Sequence, residues 1–358
     1  MNNLFVCHSQ AQLIVASGLA KGRFCNDTNT LILFKDFSLD DKLILNLNKV
    51  FHEVLIRVGD YPEKNKSWRH KTIRYIRDVC FFKKEIISIY HKVFIICDQN
   101  LPELYIIKKA FKLNNDVELI WLEDGSYPYF LNIDNKHGLN ANKYTIKLKK
   151  LIFKYLFQFG PFYDYEGNYM SGNSNLKIAY LTMPECARSI FKNKTLVKID
   201  SKEYLLGINS IFTDGETTHF KDNDVIIVFD KLDTYKSVNI VKEITEYLIL
   251  LLKEKQCRVF FKMHPREETE NLKFLGESIE LNRHIGFEFF LSTLVANANK
   301  SVKIIGFKST SLQVSKFFNL ETISLFLLVK EENVDLHKFY ERLNISLPKI
   351  KQDLKDLI

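Results

Sequence analysis

Three short segments carry side chains whose types and spacing suit chemistry on a charged substrate. Glu123-Asp124-Gly125 directly follows an apolar run ending at Leu122. An acid at the C-terminal end of a parallel strand points toward the crevice where open α/β sheets bind ligands. Two adjacent acids suit a general base, since each raises the other's pKa. Gly125 lets the chain turn sharply. The plain alternative is an ordinary strand-to-helix turn. Lys262-Met-His264-Pro265-Arg266 closes another apolar run. Lys262, His264 and Arg266 can all donate to phosphate oxygens, and Pro265 restrains the turn that aims the imidazole. A histidine here holds a phosphate or protonates a leaving one; the alternative is a surface turn with incidental charges. In Gly306-Phe-Lys-Ser309-Thr310-Ser311, a hydroxyl cluster sits where a helix should start. Ser309, Thr310 and Ser311 are N-cap types, and a helix N-terminus with free N–H groups also receives anions.

Further acids accompany these segments. Asp230 and Asp233 follow the run 225–229, either as a helix-start pair or as acids in the ligand crevice. Glu288 sits among Phe287, Phe289, Phe290 and Leu291, and a carboxylate in such surroundings needs a partner. Ribose hydroxyls would serve.

The elements that must position these residues alternate along the chain. Apolar, β-branched runs bounded by polar turns occur at 3–8, 30–34, 53–57, 92–97, 117–122 and 177–182. They recur at 225–229, 258–262, 302–306 and 322–326. These read as strands. Amphipathic stretches between them, such as 10–21 and 237–255, read as helices. Alternation of this kind predicts parallel sheets built from βαβ units. The chain of 358 residues divides into two α/β halves. The boundary falls in the polar stretch 213–223, giving domains 1–218 and 219–358.

Composition narrows the function classes. The chain is 46% hydrophobic and 26% charged, which excludes a largely disordered protein. The net charge of +8 favours anionic partners. Six scattered cysteines contain no C-x-x-C pair, which argues against a thiolate metal site and for a reducing compartment. No metal site is expected. No targeting segment is expected either: His8, Gln10 and Gln12 interrupt the apolar start, with no basic region before it. No P-loop, dinucleotide fingerprint or G-x-S-x-G elbow occurs. Two stretches are basic and amphipathic: 143–160 holds five lysines and no acid, and 64–84 has Asp78 as its one acid. A solvated helix face explains them, as does contact with anionic lipid head groups.

The order of the three motifs resembles that in bacterial sialyltransferases: glycosyltransferase family 52, the lipooligosaccharide sialyltransferases, and the related capsular polysialyltransferases. The acid-acid-Gly, His-Pro and Ser/Thr motifs read here as Glu123-Asp124-Gly125, His264-Pro265 and Ser309-Thr310-Ser311. The opening Leu4-Phe-Val-Cys-His8-Ser9-Gln-Ala-Gln12-Leu is similar to the family's first strand and helix. The usual Asp-Asp-Gly has Glu first here, which leaves the chemistry intact.

The resemblance implies a GT-B fold, two Rossmann-like domains facing a central cleft. It implies an inverting, metal-independent transfer of sialic acid from CMP-sialic acid, with no cofactor. The acceptor would be a galactose- or sialic-acid-terminated bacterial surface glycan, lipooligosaccharide or capsule. The first domain would take the acceptor and the second the donor. By this carry-over Lys262, His264, Pro265 and Arg266 lie at the donor phosphate, with Ser309, Thr310 and Ser311. Glu288 lies at the ribose. The general base is Glu123 or Asp124 in the polysialyltransferase group, and Asp233 by the family 52 pattern, with Asp124 preferred. The protein is expected in the cytoplasm, with peripheral contact on the inner face of the membrane. Two rivals are another donor (a different CMP-nonulosonic acid or a UDP-hexose) and a non-catalytic basic module binding membrane or nucleic acid. No nucleic-acid fold signature is present.

Overall fold

A computed structural model describes the chain except residues 38, 60–67, 99, 131–150, 152–153, 156–158, 161–170, 213–217, 266, 268–271, 297–300 and 331–332. Arg266 therefore lies outside the described residues, as does most of the basic stretch 143–160. The chain forms two compact units, Met1–Pro128 with Ile133–Thr213, and Tyr129–Asn132 with Asp214–Ile358.

In the first unit the strands are β1 (Asn2–Cys7), β2 (Thr28–Lys35), β3 (Glu53–Val58), β4 (Lys92–Ile95), β5 (Glu118–Leu122), β6 (Leu176–Leu181) and β7 (Thr195–Lys198). They form one sheet in the order β3-β2-β1-β4-β5-β6-β7, every pair parallel. Strand order reverses beside β1, the switch point that opens a crevice at the carboxyl edge. Helices α1 (Gln10–Lys21), α2 (Asp41–Val50), α3 (Trp68–Glu85), α4 (Leu101–Leu113) and α5 (Ser201–Ile211) accompany it. The apolar runs are continuous rather than alternating because strands covered on both faces have no solvent side. Leu31, Ile32, Leu33 and Phe34 are accordingly all buried. Phe5 of β1 stacks on Phe94 of β4 at 4.4 Å. Trp121 is fully buried and donates Nε1–H to the Ile96 carbonyl at 2.9 Å.

In the second unit β8 (Val225–Val228), β9 (Val259–Lys262), β10 (Ile279–Glu280), β11 (Lys303–Gly306) and β12 (Glu321–Ser324) form a parallel sheet, ordered β10-β9-β8-β11-β12. The helices are α6 (Val238–Glu254), α7 (Phe287–Ala296), α8 (Thr310–Phe317), α9 (Val334–Arg342) and α10 (Asp353–Leu357). The switch point here lies between β8 and β11. α6 carries the 3.6-residue pattern, burying Val241, Ile244, Leu248, Leu251 and Leu252. Ser237 caps it, its hydroxyl accepting from the Ile240 N–H.

The ten runs read from the sequence as strands all pair. Two strands were not read. β7 is short and half-exposed, and β10 has two exposed residues, so neither carries enough apolar pattern. α5 was also unread, although Asp200 and Glu203 form a capping box at its start. Within the basic stretch, Arg74 turns inward. Its Nη1 donates to the Gly59 carbonyl at 2.8 Å, and its Nε lies 3.9 Å from Asp78. Arg57 of β3 pairs with the same buried Asp78 at 2.7 Å. The face of α3 that stays outside carries Ile73, Ile76, Arg77, Lys83 and Lys84. Among the described residues, no helix is long and apolar enough to cross a membrane. The six cysteines carry free thiols.

α1 and α5 approach at a pair of glycines. A Cβ on Gly207 would sit 1.9 Å from the Ile14 carbonyl oxygen, and one on Gly18 would sit 2.0 Å from that of Glu203. Both obstacles are backbone, so neither can swing away. Gly207→Ala should cost about 2 kcal/mol through forced separation of the helices. A fall in Tm on the order of 5 °C is expected in thermal unfolding; an unchanged Tm would show that the helices separate freely.

Candidate functional site

Each unit carries one group of chemistry-bearing side chains at the carboxyl edge of its sheet. In the first unit β1 ends at Cys7, and His8 and Ser9 make the turn into α1. Ser9 is the N-cap and Gln12 completes a capping box. The Gln12 side-chain oxygen accepts the His8 N–H at 2.5 Å and the Ser9 N–H at 3.0 Å. That fixes which way the amide faces. Its Nε2 donates to Oδ1 of Asp124 at 2.7 Å.

Glu123 and Asp124 have separate jobs. The Glu123 carboxylate accepts the Thr182 N–H at 2.5 Å and the Thr182 hydroxyl at 2.9 Å. It is buried and joins the end of β5 to the end of β6. Asp124 turns the other way and stays half-exposed. Gly125 follows at φ 52°, a left-handed conformation that costs a residue with a Cβ more than glycine. Burial raises the Asp124 pKa, opposed by the Gln12 hydrogen bond and the charge of His8.

The His8 ring stacks on Phe34 at 4.5 Å, nearly coplanar at 7°. Its Nδ1 lies 3.1 Å from Asp36 Oδ2 and its Nε2 lies 2.8 Å from Glu103 Oε1. Burial lowers the His8 pKa, but hydrogen bonds and charges from Asp36 and Glu103 outweigh it and raise the value to about 9. The ring is an imidazolium at neutral pH.

In the second unit Asp230 follows β8. One of its oxygens, Oδ2, accepts the Tyr235 hydroxyl at 2.6 Å and the Lys308 N–H at 3.1 Å. Burial raises its pKa, opposed by those two bonds and then by the charges of Lys308 and His264. Asp230 and His264 are thus electrostatic neighbours. Asp233 lies on an exposed turn, its side chain 64% exposed and 2.5 Å from Lys231.

His264 opens a turn in which its carbonyl accepts the Glu267 N–H at 2.9 Å. Pro265 occupies the second position of this turn, where its fixed φ fits. Glu267 is buried and accepts the Leu232 N–H at 2.7 Å, tying the His-Pro turn to the one after β8. Lys262 points inward and is buried. Its Nζ donates to the Met263 and Arg283 carbonyls at 2.9 and 3.0 Å. Burial lowers its pKa to about 8 against the charges of Glu288 and Glu280. Glu288 stands in the first turn of α7 near Lys262, and burial raises its pKa. Ser309 is the N-cap of α8, its hydroxyl accepting from the Ser311 N–H at 3.3 Å. Thr310 is exposed and Ser311 half-buried at the start of that helix.

Sequence reasoning passed over Asp36, Glu103, Tyr235, Glu267 and Lys308, and gave His8 and Gln12 no role. Asp36 and Lys308 had a signal, since each lies within two residues of a strand end. Tyr235 and Glu103 had none. Among the described residues no group of three His, Cys, Asp or Glu side chains is arranged to hold a metal ion.

These placements can be set beside known proteins. Residues 3–326 match the family model described as alpha-2,8-polysialyltransferase. No curated protein sequence matches the chain. Among solved structures, the α/β-galactoside α-2,3-sialyltransferase of Photobacterium phosphoreum is similar at 14% identity and TM-score 0.52, over 99% of both chains. The GT-B domain of a Photobacterium damselae sialyltransferase gives 13% and 0.53, over 97% of this chain and 98% of that one. The UDP-GlcNAc 2-epimerase of Methanocaldococcus jannaschii gives 12% and 0.59, over 100% and 91%. The sheets described above are those of the GT-B fold. The reading as a non-catalytic module is set aside by the family match, which makes the protein a glycosyltransferase. The chain belongs to the alpha-2,8-polysialyltransferase family.

Proposed function

We propose that the protein moves sialic acid from CMP-sialic acid to a galactose- or sialic-acid-terminated surface glycan, lipooligosaccharide or capsule, with inversion and without a metal. The observation that carries this is the assembly of Asp230, His264, Lys308 and the Ser309 cap at the carboxyl edge of the second sheet. Cations, a proton donor and helix N–H groups there suit a leaving phosphate. The family and the GT-B fold support the same assignment.

In the reaction the acceptor hydroxyl oxygen forms a bond to the anomeric carbon as the bond to the CMP phosphate oxygen breaks. The hydroxyl proton passes to Asp124. His264 donates to the departing phosphate, and its charge acts on Asp230. Ser309, Thr310 and Ser311 hold the phosphate, joined by Arg266. Glu288 serves the ribose. Glu123 and Lys262 act through the backbone they brace. The first domain, residues 1–218, takes the acceptor, and the second, residues 219–358, takes the donor. A +8 chain suits both anionic substrates. The exposed face of α3 supports contact with an anionic membrane. Ile73 and Ile76 are 52% and 53% exposed and stand among Arg77, Lys83 and Lys84, apolar anchors beside cations.

Calorimetry with CMP, UMP, UDP and GDP in EDTA tests the donor. CMP should bind selectively. His264→Ala should fold and lose on the order of a hundredfold in turnover. A preference for UDP would move the protein to a hexose donor; a fully active His264→Ala would remove the acid assignment. Asp124→Asn and Asp233→Asn rank the bases. The first should lose turnover by a factor on the order of a thousand while keeping CMP, and the second should change little; the reverse order would make Asp233 the base. Co-sedimentation with phosphatidylglycerol vesicles checks the membrane contact. Ile73→Glu/Ile76→Glu should stay in solution where the parent chain sediments, and a parent chain that never sediments rules the contact out.

A further inference from the structure

The imidazolium His8, held between Asp36 and Glu103, takes no part in the reaction just described. A cation buried between two carboxylates needs no further purpose if its surroundings end there. They do not. The turn that carries His8 also carries Gln12, and Gln12 is wired to Asp124. Its oxygen is occupied by the His8 and Ser9 N–H groups at 2.5 and 3.0 Å, so its NH₂ end must face Asp124, at 2.7 Å. His8 stands close enough for its charge to act on the same carboxylate.

We propose that His8 and Gln12 are positioning residues for Asp124: the turn between β1 and α1 gives this carboxylate one fixed donor and one fixed positive charge. The inference rests on Asp124 being the proton acceptor and adds what keeps it ready. A base must be ionised before the acceptor arrives, and burial works against that. Gln12 supplies a hydrogen bond to the ionised form. His8 supplies a charge that cannot rotate away, because both ring nitrogens face carboxylates and the ring lies flat on Phe34.

The charged groups around this pair come from several elements. Among the described residues, His8 faces Asp36 beyond β2 and Glu103 on α4, and its charge acts on Asp124 beyond β5. Asp124 faces Gln12 on α1 and His8. Farther out, Arg74 and Asp78 on α3 share the field of Glu103. Glu103 and Asp36 therefore act on Asp124 indirectly, by keeping His8 protonated.

Coupling between two titrating groups is reciprocal, which supplies a test with two independent readouts. The first is the pH profile of kcat/KM. In His8→Gln the acid limb should move to higher pH by about one unit, with the plateau rate largely kept. A change confined to folding would lower the plateau and leave the limb in place. The second readout needs no turnover. Of the nine histidines, His8 is followed by NMR titration in the parent chain and in Asp124→Asn. It should titrate near pH 9 in the parent and lower in Asp124→Asn, by a shift matching that of the acid limb. An unmoved limb, or one His8 pKa in both proteins, overturns the proposal even where Asp124→Asn is inactive. A fully active Asp124→Asn instead removes Asp124 as the proton acceptor, and the proposal falls with it. His8→Gln leaves the buried Glu103 and the partly buried Asp36 without their cation; if it does not fold, the NMR pair decides, since both of those proteins keep His8.

Discussion

A partly buried, desolvated aspartate at the carboxyl end of a strand is the constraint common to both sheets. Burial raises the pKa of Asp124 and of Asp230 alike, because a charge loses hydration there. Each is therefore surrounded by groups that favour its charge. Asp124 has Gln12 and His8. Asp230 has the Tyr235 hydroxyl, the Lys308 N–H and the charge of His264. Each set pairs a hydrogen-bond donor with an imidazole charge, and both follow one rule: donors and cations stand where desolvation must be offset. Such pairs of tuned acids and imidazoles are what acid–base chemistry requires.

The scaffold serves this constraint by holding turns in place. Gln12 stays aimed at Asp124 because α1 cannot shift, its glycine face interlocked with α5 through Gly18 and Gly207. Glu123 pins β5 to β6 through Thr182, so Asp124 leaves the strand at a set point. Glu267 pins the His-Pro turn to Leu232, which fixes where His264 stands relative to Asp230. The carboxylates of Glu123 and Glu267 thus serve geometry.

Much of the architecture was legible because the signals are local. A run such as Val225–Phe229 announces a buried strand by composition alone, and the regular alternation with amphipathic stretches implies parallel sheets. β7 and β10 escaped because short edge strands need little burial. The three motifs were legible as motifs, and their order carried the family. Their internal roles were not. Glu123 and Asp124 are adjacent and chemically alike, but only Asp124 meets Gln12. Asp233 and Asp230 follow the same strand, but Asp230 is desolvated and bonded to Tyr235 and Lys308 while Asp233 is exposed.

By itself the sequence determined the α/β class and the motifs that resemble those of sialyltransferases, since each is written in neighbouring residues. The tertiary structure decided which acids face cations, why Lys262 turns inward and why His8 carries a charge. Those outcomes depend on partners far apart in the chain, 112 residues for Gln12 and Asp124 and 78 for Lys308 and Asp230. Desolvation and hydrogen bonding act through space, and spacing along a chain does not encode them.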